Sequence, residues 1–212
     1  VEDAAILLKA IAGGDPHDQT VLNREVPDYR AMLSGANLKG LRIGVPKEYF
    51  IDGCDPEVMA CVRKSIDMCA NAGAEVHEIS LPHTEYAIAV YYICATAEAS
   101  ANLARFDGIR YGFRKVGPEG TLQSLYDRSR TDGFGKEVKR RIILGTYVLS
   151  SGYYDAYYNR ALKARTLIRN DFQKAFESCD VIMTPVAPTA AYKLNSTVND
   201  PLKAYLGDIF TV

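Results

Sequence analysis

A strand–helix–strand segment constrains the fold more than any other part of this sequence. Residues 41–45, LRIGV, form a short segment rich in branched apolar residues and closed by Pro46. Residues 75–79 alternate apolar with polar side chains, so both segments are predicted strands. Between them, Asp55 and Pro56 indicate a helix start, because Asp caps helix N-termini well and Pro fits the first turn. This order forms a βαβ unit, which predicts two parallel strands joined by a right-handed connection.

Most of the remaining chain has the hydrophobic periodicity of helices. The pattern predicts helices at residues 2–12, 86–103, 122–129, 135–150 and 153–177, and a third strand at residues 180–184. The helix at residues 86–103 is apolar almost all round, which predicts a buried helix. The sequence therefore predicts an α/β fold in which a helical block is inserted between the second and third strands.

Composition excludes several classes of function. The 212 residues include 25 Lys and Arg against 26 Asp and Glu, so no net basic field would attract nucleic acid. The longest apolar stretch, residues 86–97, is too short to cross a bilayer, which predicts a protein without membrane contact. The five cysteines form no Cys-x-x-Cys pair, and the three histidines are not paired at ligand spacing. We therefore expect reduced thiols, a cytoplasmic location and no metal site.

Arg165 lies on the apolar stripe of the predicted helix at residues 153–177. Its position is seven residues from both Tyr158 and Phe172 on the same stripe. A guanidinium facing a core needs an anionic partner, because burying it unpaired costs several kcal/mol. A structural salt bridge, or an arginine whose stem packs while its head reaches solvent, is the more ordinary interpretation. The alternative is a fork that binds a substrate carboxylate.

The segment from residue 105 to 114 is the second candidate site. It places aromatic, charged and glycine residues together directly after the predicted buried helix. Such a loop can line a pocket, because glycines allow the backbone to approach a ligand closely. An ordered turn held by a pair between Asp107 and Arg110 explains the same residues equally well.

A cluster of basic residues allows a nucleic-acid surface, and a run of tyrosines could stack against ligands. A solvated helix face is the favoured explanation for the basic residues, because the total charge is near zero. The tyrosines have the helical spacing that is typical of a core. The basic residues are Arg128, Arg130, Lys136, Lys139, Arg140 and Arg141, and the tyrosines are Tyr153, Tyr154, Tyr157 and Tyr158.

Several longer motifs carry a resemblance to a known family. They are VEDAA at residues 1–5, KGLRIGVPKEY at 39–49, RFDGIRYG at 105–112, GKEVKRRI at 135–142, SGYYDAYY at 151–158 and TP at 184–185. These strings resemble the A subunits of aspartyl/glutamyl-tRNA amidotransferases, a group within the amidase-signature family. The resemblance implies the amidase-signature fold, with a mixed β-sheet flanked by helices.

The resemblance also implies an activity for the whole protein. Members of this group hydrolyse glutamine with a serine, a cis-serine and a lysine, and a B subunit uses the ammonia, ATP and Mg to amidate Glu or Asp carried on tRNA. A small C subunit braces the pair, and tRNA is contacted indirectly through the complex. The present sequence has no stretch that matches the catalytic Gly/Ser-rich segment. We therefore expect residues 1–212 to be part of a single amidase-signature domain, with that segment N-terminal to them and the final strands C-terminal, and to be inactive alone and without a cofactor.

The resemblance assigns site residues as well. The family's glutamine-binding arginine matches Arg165 in the string KARTLI at residues 163–168. An aromatic side chain of the loop, Tyr111 or Phe113, is expected against the same ligand, and Asp107, Arg110 and Tyr158 are expected to support the pocket. The carboxylate for the α-amino group of glutamine is expected beyond residue 212. Another amidase-signature hydrolase that acts on a simple amide, or a non-catalytic module that binds partner proteins of the complex or tRNA, are the rival interpretations.

Overall fold

Three parallel strands form the sheet of this chain, whose computed structural model describes residues 1–35, 37–50, 54–194 and 207–212. The strands are β1 (Arg42–Pro46), β2 (Glu75–Ile79) and β3 (Val181–Ile182), in the order β2-β1-β3. Ile43 of β1 lies opposite Val76 of β2 and Val181 of β3. The predicted βαβ unit is confirmed, and the sheet and its flanking helices confirm the α/β fold class. The strand pairs among the described residues are all parallel, so this part of the chain does not show the mixed sheet that the resemblance implies.

The helices fall into the predicted order. They are α1 (Glu2–Ile11), α2 (Pro56–Asn71), α3 (Ala87–Leu103), α4 (Leu122–Gly133), α5 (Lys136–Val148) and α6 (Arg160–Ser178), with 3₁₀ turns at Ala31–Leu33, Lys47–Tyr49 and Pro82–Tyr86. None of the helices in the described ranges has the length and apolar character needed to cross a bilayer. The helices α3 to α6 lie between β2 and β3 in the sequence, as predicted.

Local chemistry sets both ends of α2. The carboxylate of Asp55 accepts a hydrogen bond from the backbone N–H of Glu57 at 2.8 Å, and Pro56 occupies the first turn. The chain leaves the helix through Gly73, whose φ of 97° lies in the left-handed region that favours glycine. The helix therefore begins and ends where the sequence predicts.

The structure corrects the prediction of one continuous helix over residues 153–177. A π-helical turn occupies Tyr154–Asn159, and α6 follows it. Ring centroids of Tyr153 and Tyr157 lie 5.9 Å apart, and those of Tyr154 and Tyr158 lie 5.3 Å apart. The wider turn accommodates contact between these bulky rings four residues apart, which are tilted towards each other. The prediction that these tyrosines form core is also wrong for three of the four, since only Tyr158 is half-buried.

The third strand is shorter than the predicted range of residues 180–184. The N–H of Met183 donates to the carbonyl of Gly44 at 3.0 Å, and Pro185 follows two residues later. Proline has no N–H group and cannot continue a ladder of hydrogen bonds. The strand therefore ends at Ile182.

Two hydrophobic clusters hold the layers together. The first joins the sheet to the C-terminal half of α6 and comprises Tyr49, Ile79, Leu81, Ala175, Cys179 and Phe210. The second lies between α3 and α6 and comprises Val90, Cys94 and Ala161, with half-buried Ile93, Leu162, Ala164 and Ile168 packed against it. Burial of these side chains fixes α6 against both the sheet and α3.

A charged clamp joins β1 to the segment that connects α6 with β3. Arg42 Nη2 lies 2.6 Å from Asp180 Oδ1, and Asp180 Oδ2 accepts the backbone N–H of Arg42 at 3.0 Å. The side-chain hydrogen bonds from Arg42 lower the pKa of Asp180 to about 2. The clamp therefore stabilises the fold only while Asp180 is ionised.

We predict that Asp180 contributes to acid unfolding of the chain. Its pKa is lowered in the folded state, so its contribution is present above the ordinary value of 3.8 and is lost as the pH falls towards about 2. Asp180→Asn should reduce the fall in the free energy of unfolding, measured by urea titration, between these pH values. Asp67→Asn, an exposed aspartate of α2, is the matched control. An unchanged pH slope in Asp180→Asn would contradict the prediction.

Gly145 allows α5 to cross α3 closely. A Cβ atom at this position would lie 1.9 Å from the carbonyl oxygen of Thr96 and 2.7 Å from Cβ of Ser100. Both contacts are far shorter than van der Waals distance, and one of them is to backbone that cannot move independently of α3. The crossing of the two helices therefore depends on glycine here.

We predict that Gly145→Ala destabilises the chain in spite of the higher helix propensity of alanine. Forcing α3 and α5 apart should cost about 1–3 kcal/mol of unfolding free energy, measured by urea denaturation. Gly135→Ala in the N-cap of the same helix is the control, since no atom lies within 4 Å of a Cβ there. Equal losses in the two variants would show that the crossing does not depend on Gly145.

Candidate functional site

A cavity of about 280 Å³ lies between α3 and α6. Arg165 and Ile168 of α6 form one wall, and one face of α3 forms the other, since residues spaced three or four apart lie on the same side of a helix. The lining is apolar apart from Arg165 and Glu98 and comprises Ala87, Val90, Tyr91, Cys94, Ala95, Glu98, Arg165, Ile168 and Val212. The cavity therefore presents one cation and one anion on an apolar background.

The structure corrects the premise that Arg165 faces a packed core. Its side chain is exposed, whereas Ala161 and Ala175 on the same helix are buried and Ile168 is half-buried. The apolar stripe is covered only where α6 packs against α3 and the sheet, and Arg165 lies at the open part between them. Within the described part of the chain, no carboxylate forms a salt bridge with it. The guanidinium is therefore available to a ligand.

Glu98 is a candidate site residue that the sequence motifs do not point to. It is the only charged residue in the sequence of α3, and that isolation is the signal that could have identified it. Burial is the main cause that raises the pKa of the Cys94 thiol, while Arg165 lowers that pKa and Glu98 raises it further. Both charges therefore lie near Cys94, on either side of the cavity.

Tyr158 lies close to the same charges. Burial raises the pKa of its hydroxyl, Glu98 and Cys94 raise it further, and Arg165 lowers it. Its ring is half-buried and packs against Tyr154 in the π-helical turn. The structure thus brings Tyr158 and Arg165 into one neighbourhood, although Tyr158 does not line the cavity.

The loop after α3, residues 105–114, contributes no residue to the lining of the cavity at Arg165. The ring centroids of Tyr111 and Phe106 lie 5.6 Å apart, and Phe113 packs beside Gly133 at the end of α4. Both rings are exposed, and neither lines the cavity at Arg165. Their assignment to the ligand pocket therefore stays a prediction.

Local hydrogen bonds explain the order in this loop. Asp107 accepts the N–H of Ile109 at 2.9 Å, and a guanidinium nitrogen of Arg114 donates to the carbonyl of Gly108 at 2.9 Å. Among the described residues, Asp107 forms no salt bridge with Arg110, which is exposed. The turn is therefore held by hydrogen bonds between side chains and backbone groups, and the suggested pair between Asp107 and Arg110 is wrong.

The basic cluster on α4 and α5 is engaged by intramolecular contacts. Arg140 and Arg141 lie 3.5 Å and 3.1 Å from carboxylate oxygens of Glu137, and Nζ of Lys139 donates to the carbonyl of Thr131 at 3.0 Å. The guanidinium of Arg130 stacks over the ring of Tyr126 at 5.4 Å. These contacts favour the interpretation as a solvated helix face.

Side chains that could bind a metal are scattered over the described part of the chain. Within residues 1–35, 37–50, 54–194 and 207–212, no three His, Cys, Asp or Glu side chains are grouped as ligands for an ion. The charged side chains that line the cavity, Arg165 and Glu98, offer groups for recognition of a charged ligand.

Comparison with known proteins assigns the chain to a family. The family model described as Amidase matches residues 1–212. The A subunit of glutamyl-tRNA(Gln) amidotransferase from Pelobacter propionicus is 60% identical over the whole chain, and the protein of the same name from Geobacter sp. strain M21 is 57% identical. The chain spans 43% of the length of each of these relatives.

A solved structure supports the same grouping. The crystal structure of the glutamyl-tRNA(Gln) amidotransferase A subunit from Thermotoga maritima matches all of this chain over 40% of its own length, with a TM-score of 0.66 and 32% identity. The fold and the sequence motifs therefore agree over the full length of the chain. The chain belongs to the amidase family.

Proposed function

We propose that the protein of which this chain forms part is the glutamine-hydrolysing A subunit of a tRNA-dependent amidotransferase. The observation that carries the proposal is the 60% identity, over all 212 residues, to a protein named as the A subunit of glutamyl-tRNA(Gln) amidotransferase. Identity at this level over the whole chain supports a shared substrate better than fold similarity alone, because one fold can serve many chemistries.

In this proposal, Arg165 binds the α-carboxylate of glutamine. Its guanidinium is exposed to the cavity and forms no salt bridge among the described residues, so its planar donors can form two parallel hydrogen bonds with a carboxylate. Tyr158, which does not line the cavity, is close enough for Arg165 to lower the pKa of its hydroxyl and supports the pocket from behind. Tyr111 or Phe113, Asp107 and Arg110 would join the pocket only if the loop moves towards α6.

The remaining steps belong to other parts of the assembly. The serine, cis-serine and lysine that cleave the amide lie N-terminal to this segment of a single amidase-signature domain, and the final strands lie C-terminal to it. The B subunit uses the released ammonia, with ATP and Mg, to amidate aminoacyl-tRNA, and the small C subunit braces the two. The complex is cytoplasmic, and this chain contacts tRNA only indirectly. The present residues supply recognition of glutamine.

Arg165→Lys in the full-length protein tests the carboxylate-binding role. Lysine keeps the charge but loses the bidentate geometry, so kcat/KM for glutamine should fall about tenfold or more while the melting temperature changes little. Arg169→Lys, an exposed arginine one turn further along α6, is the matched control. A loss of stability with unchanged kcat/KM in Arg165→Lys would indicate a structural role for the arginine.

We also predict that purified residues 1–212 release no ammonia from glutamine above background. Removing a nucleophile from a catalytic triad lowers the rate by several orders of magnitude. The comparison is an ammonia assay on the chain and on the full-length protein at equal concentration. A rate of ammonia release by residues 1–212 close to that of the full-length protein would show that the nucleophile lies within these residues.

A further inference from the structure

The segment at residues 207–212 forms part of the wall of the cavity at Arg165. Val212 lines this cavity together with Tyr91 and Cys94 of α3. The segment is a turn and belongs to no helix or strand, so no ladder of backbone hydrogen bonds ties it to α3. Its position at the cavity therefore depends on side-chain contacts with the rest of the fold.

Two side chains of the segment attach it to different parts of the fold. The hydroxyl of Tyr92 on α3 donates a hydrogen bond to Oδ2 of Asp208 at 2.9 Å, although the two residues are 116 positions apart in the sequence. The buried ring of Phe210 packs against that of Tyr49 in the first hydrophobic cluster, with ring centroids 5.7 Å apart. The N–H of Thr211 donates to the carbonyl of Asp208 at 2.9 Å, and this turn leads directly to the cavity wall.

The surroundings of Tyr92 keep its hydroxyl protonated and its ring in place. Burial is the main cause that raises the pKa of this hydroxyl, and the hydrogen bond to Asp208 raises it further. The ring centroid lies 5.0 Å from that of Tyr91, and the guanidinium of Arg141 lies over the ring at 6.0 Å. Because Tyr91 lines the cavity, two successive residues of α3 connect the cavity wall with the segment that carries Asp208.

We propose that Tyr92 and Asp208 are positioning residues, whose hydrogen bond holds residues 208–212 as a strap along one side of the cavity. The proposal rests on the proposed glutaminase function, in which the cavity binds glutamine, and it gives neither residue a contact with the substrate. A hydrogen bond from a phenol to a carboxylate is charge-assisted and therefore stronger than one between neutral groups. Its loss should leave Phe210 in the core but let Val212 move away from the cavity, which weakens binding without changing the bond-breaking step.

The reactivity of Cys94 measures the position of the strap without any enzyme assay. Cys94 is a buried residue of the cavity wall, whereas Cys179 is buried in the first hydrophobic cluster and does not line the cavity. In the full-length protein, Tyr92→Phe should raise the rate at which N-ethylmaleimide modifies Cys94 about fivefold or more and leave the rate at Cys179 unchanged. Asp208→Ala should have the same effect, and Asp208→Asn, which keeps an acceptor for the hydroxyl, should lie closer to the wild type. Peptide mass spectrometry gives both rates in one sample.

Steady-state kinetics on glutamine test the role of the strap in binding. Tyr92→Phe and Asp208→Ala should each raise KM for ammonia release about fivefold or more and leave kcat within about twofold. The double variant should lose no more than the weaker-binding single variant, because both substitutions remove the same hydrogen bond. Tyr126→Phe, at a half-buried tyrosine of α4 that does not line the cavity, is the matched control and should resemble the wild type in KM and in the rate at Cys94.

The outcomes separate failure of the strap from failure of the proposed function. An unchanged rate at Cys94 in Tyr92→Phe, or equal increases at Cys94 and Cys179, would overturn the proposal whether or not the protein hydrolyses glutamine. An unchanged KM in Tyr92→Phe would also overturn it if the wild type hydrolyses glutamine. A wild-type protein that hydrolyses no glutamine would reject the proposed function, and the two thiol rates would then decide on the strap.

Discussion

The contact between β1 and the end of α6 determines where the candidate site lies. Arg42 clamps Asp180, and a Cβ atom at Gly44 would lie 2.9 Å from Sγ of Cys179, so the backbone of β1 approaches the helix end without a side chain between them. Because α6 runs directly into β3, fixing this end sets the direction of the whole helix. Burial of Ala161 against α3 fixes the other end, and Arg165 is held between the two anchors.

Elements that follow from local chemistry were predicted well. Asp55, Pro56 and Gly73 encode the limits of α2 through capping and backbone preference, Pro46 marks the end of β1, and alternation of apolar with polar residues encodes β2. Arg165 is a candidate site residue because a charged residue on an apolar helix stripe can be recognised from the sequence alone. These signals depend on residues close to each other in the sequence, and so they can be recognised without knowledge of the fold.

The remaining features depend on contacts between distant segments. The sequence shows Glu98 as an isolated charge on α3, but its place on the cavity of Arg165 depends on the packing of α3 against α6, which brings together residues 67 positions apart in the sequence. The exposure of Arg165 depends on how much of the apolar stripe of α6 is covered by α3. Hydrophobic periodicity cannot predict this, because it carries no information on the partner helix. The π-helical turn at Tyr154–Asn159 brings the rings of Tyr154 and Tyr158 to a centroid distance of 5.3 Å, a departure from ordinary helix geometry that the hydrophobic periodicity does not show.

The openness of the cavity sets how strongly its charges can act. Two unit charges about 4 Å apart attract by about 1 kcal/mol in bulk water and by about 4 kcal/mol at an effective dielectric constant of about 20. An exposed guanidinium such as Arg165 is near the first limit, so these residues alone would hold an amino acid weakly. In the proposed full-length protein, contact between Arg165 and a bound carboxylate becomes strong only where water is excluded from the cavity. Arg165 itself lies on a helix that this chain already positions, between the anchor on α3 and the anchor on the sheet.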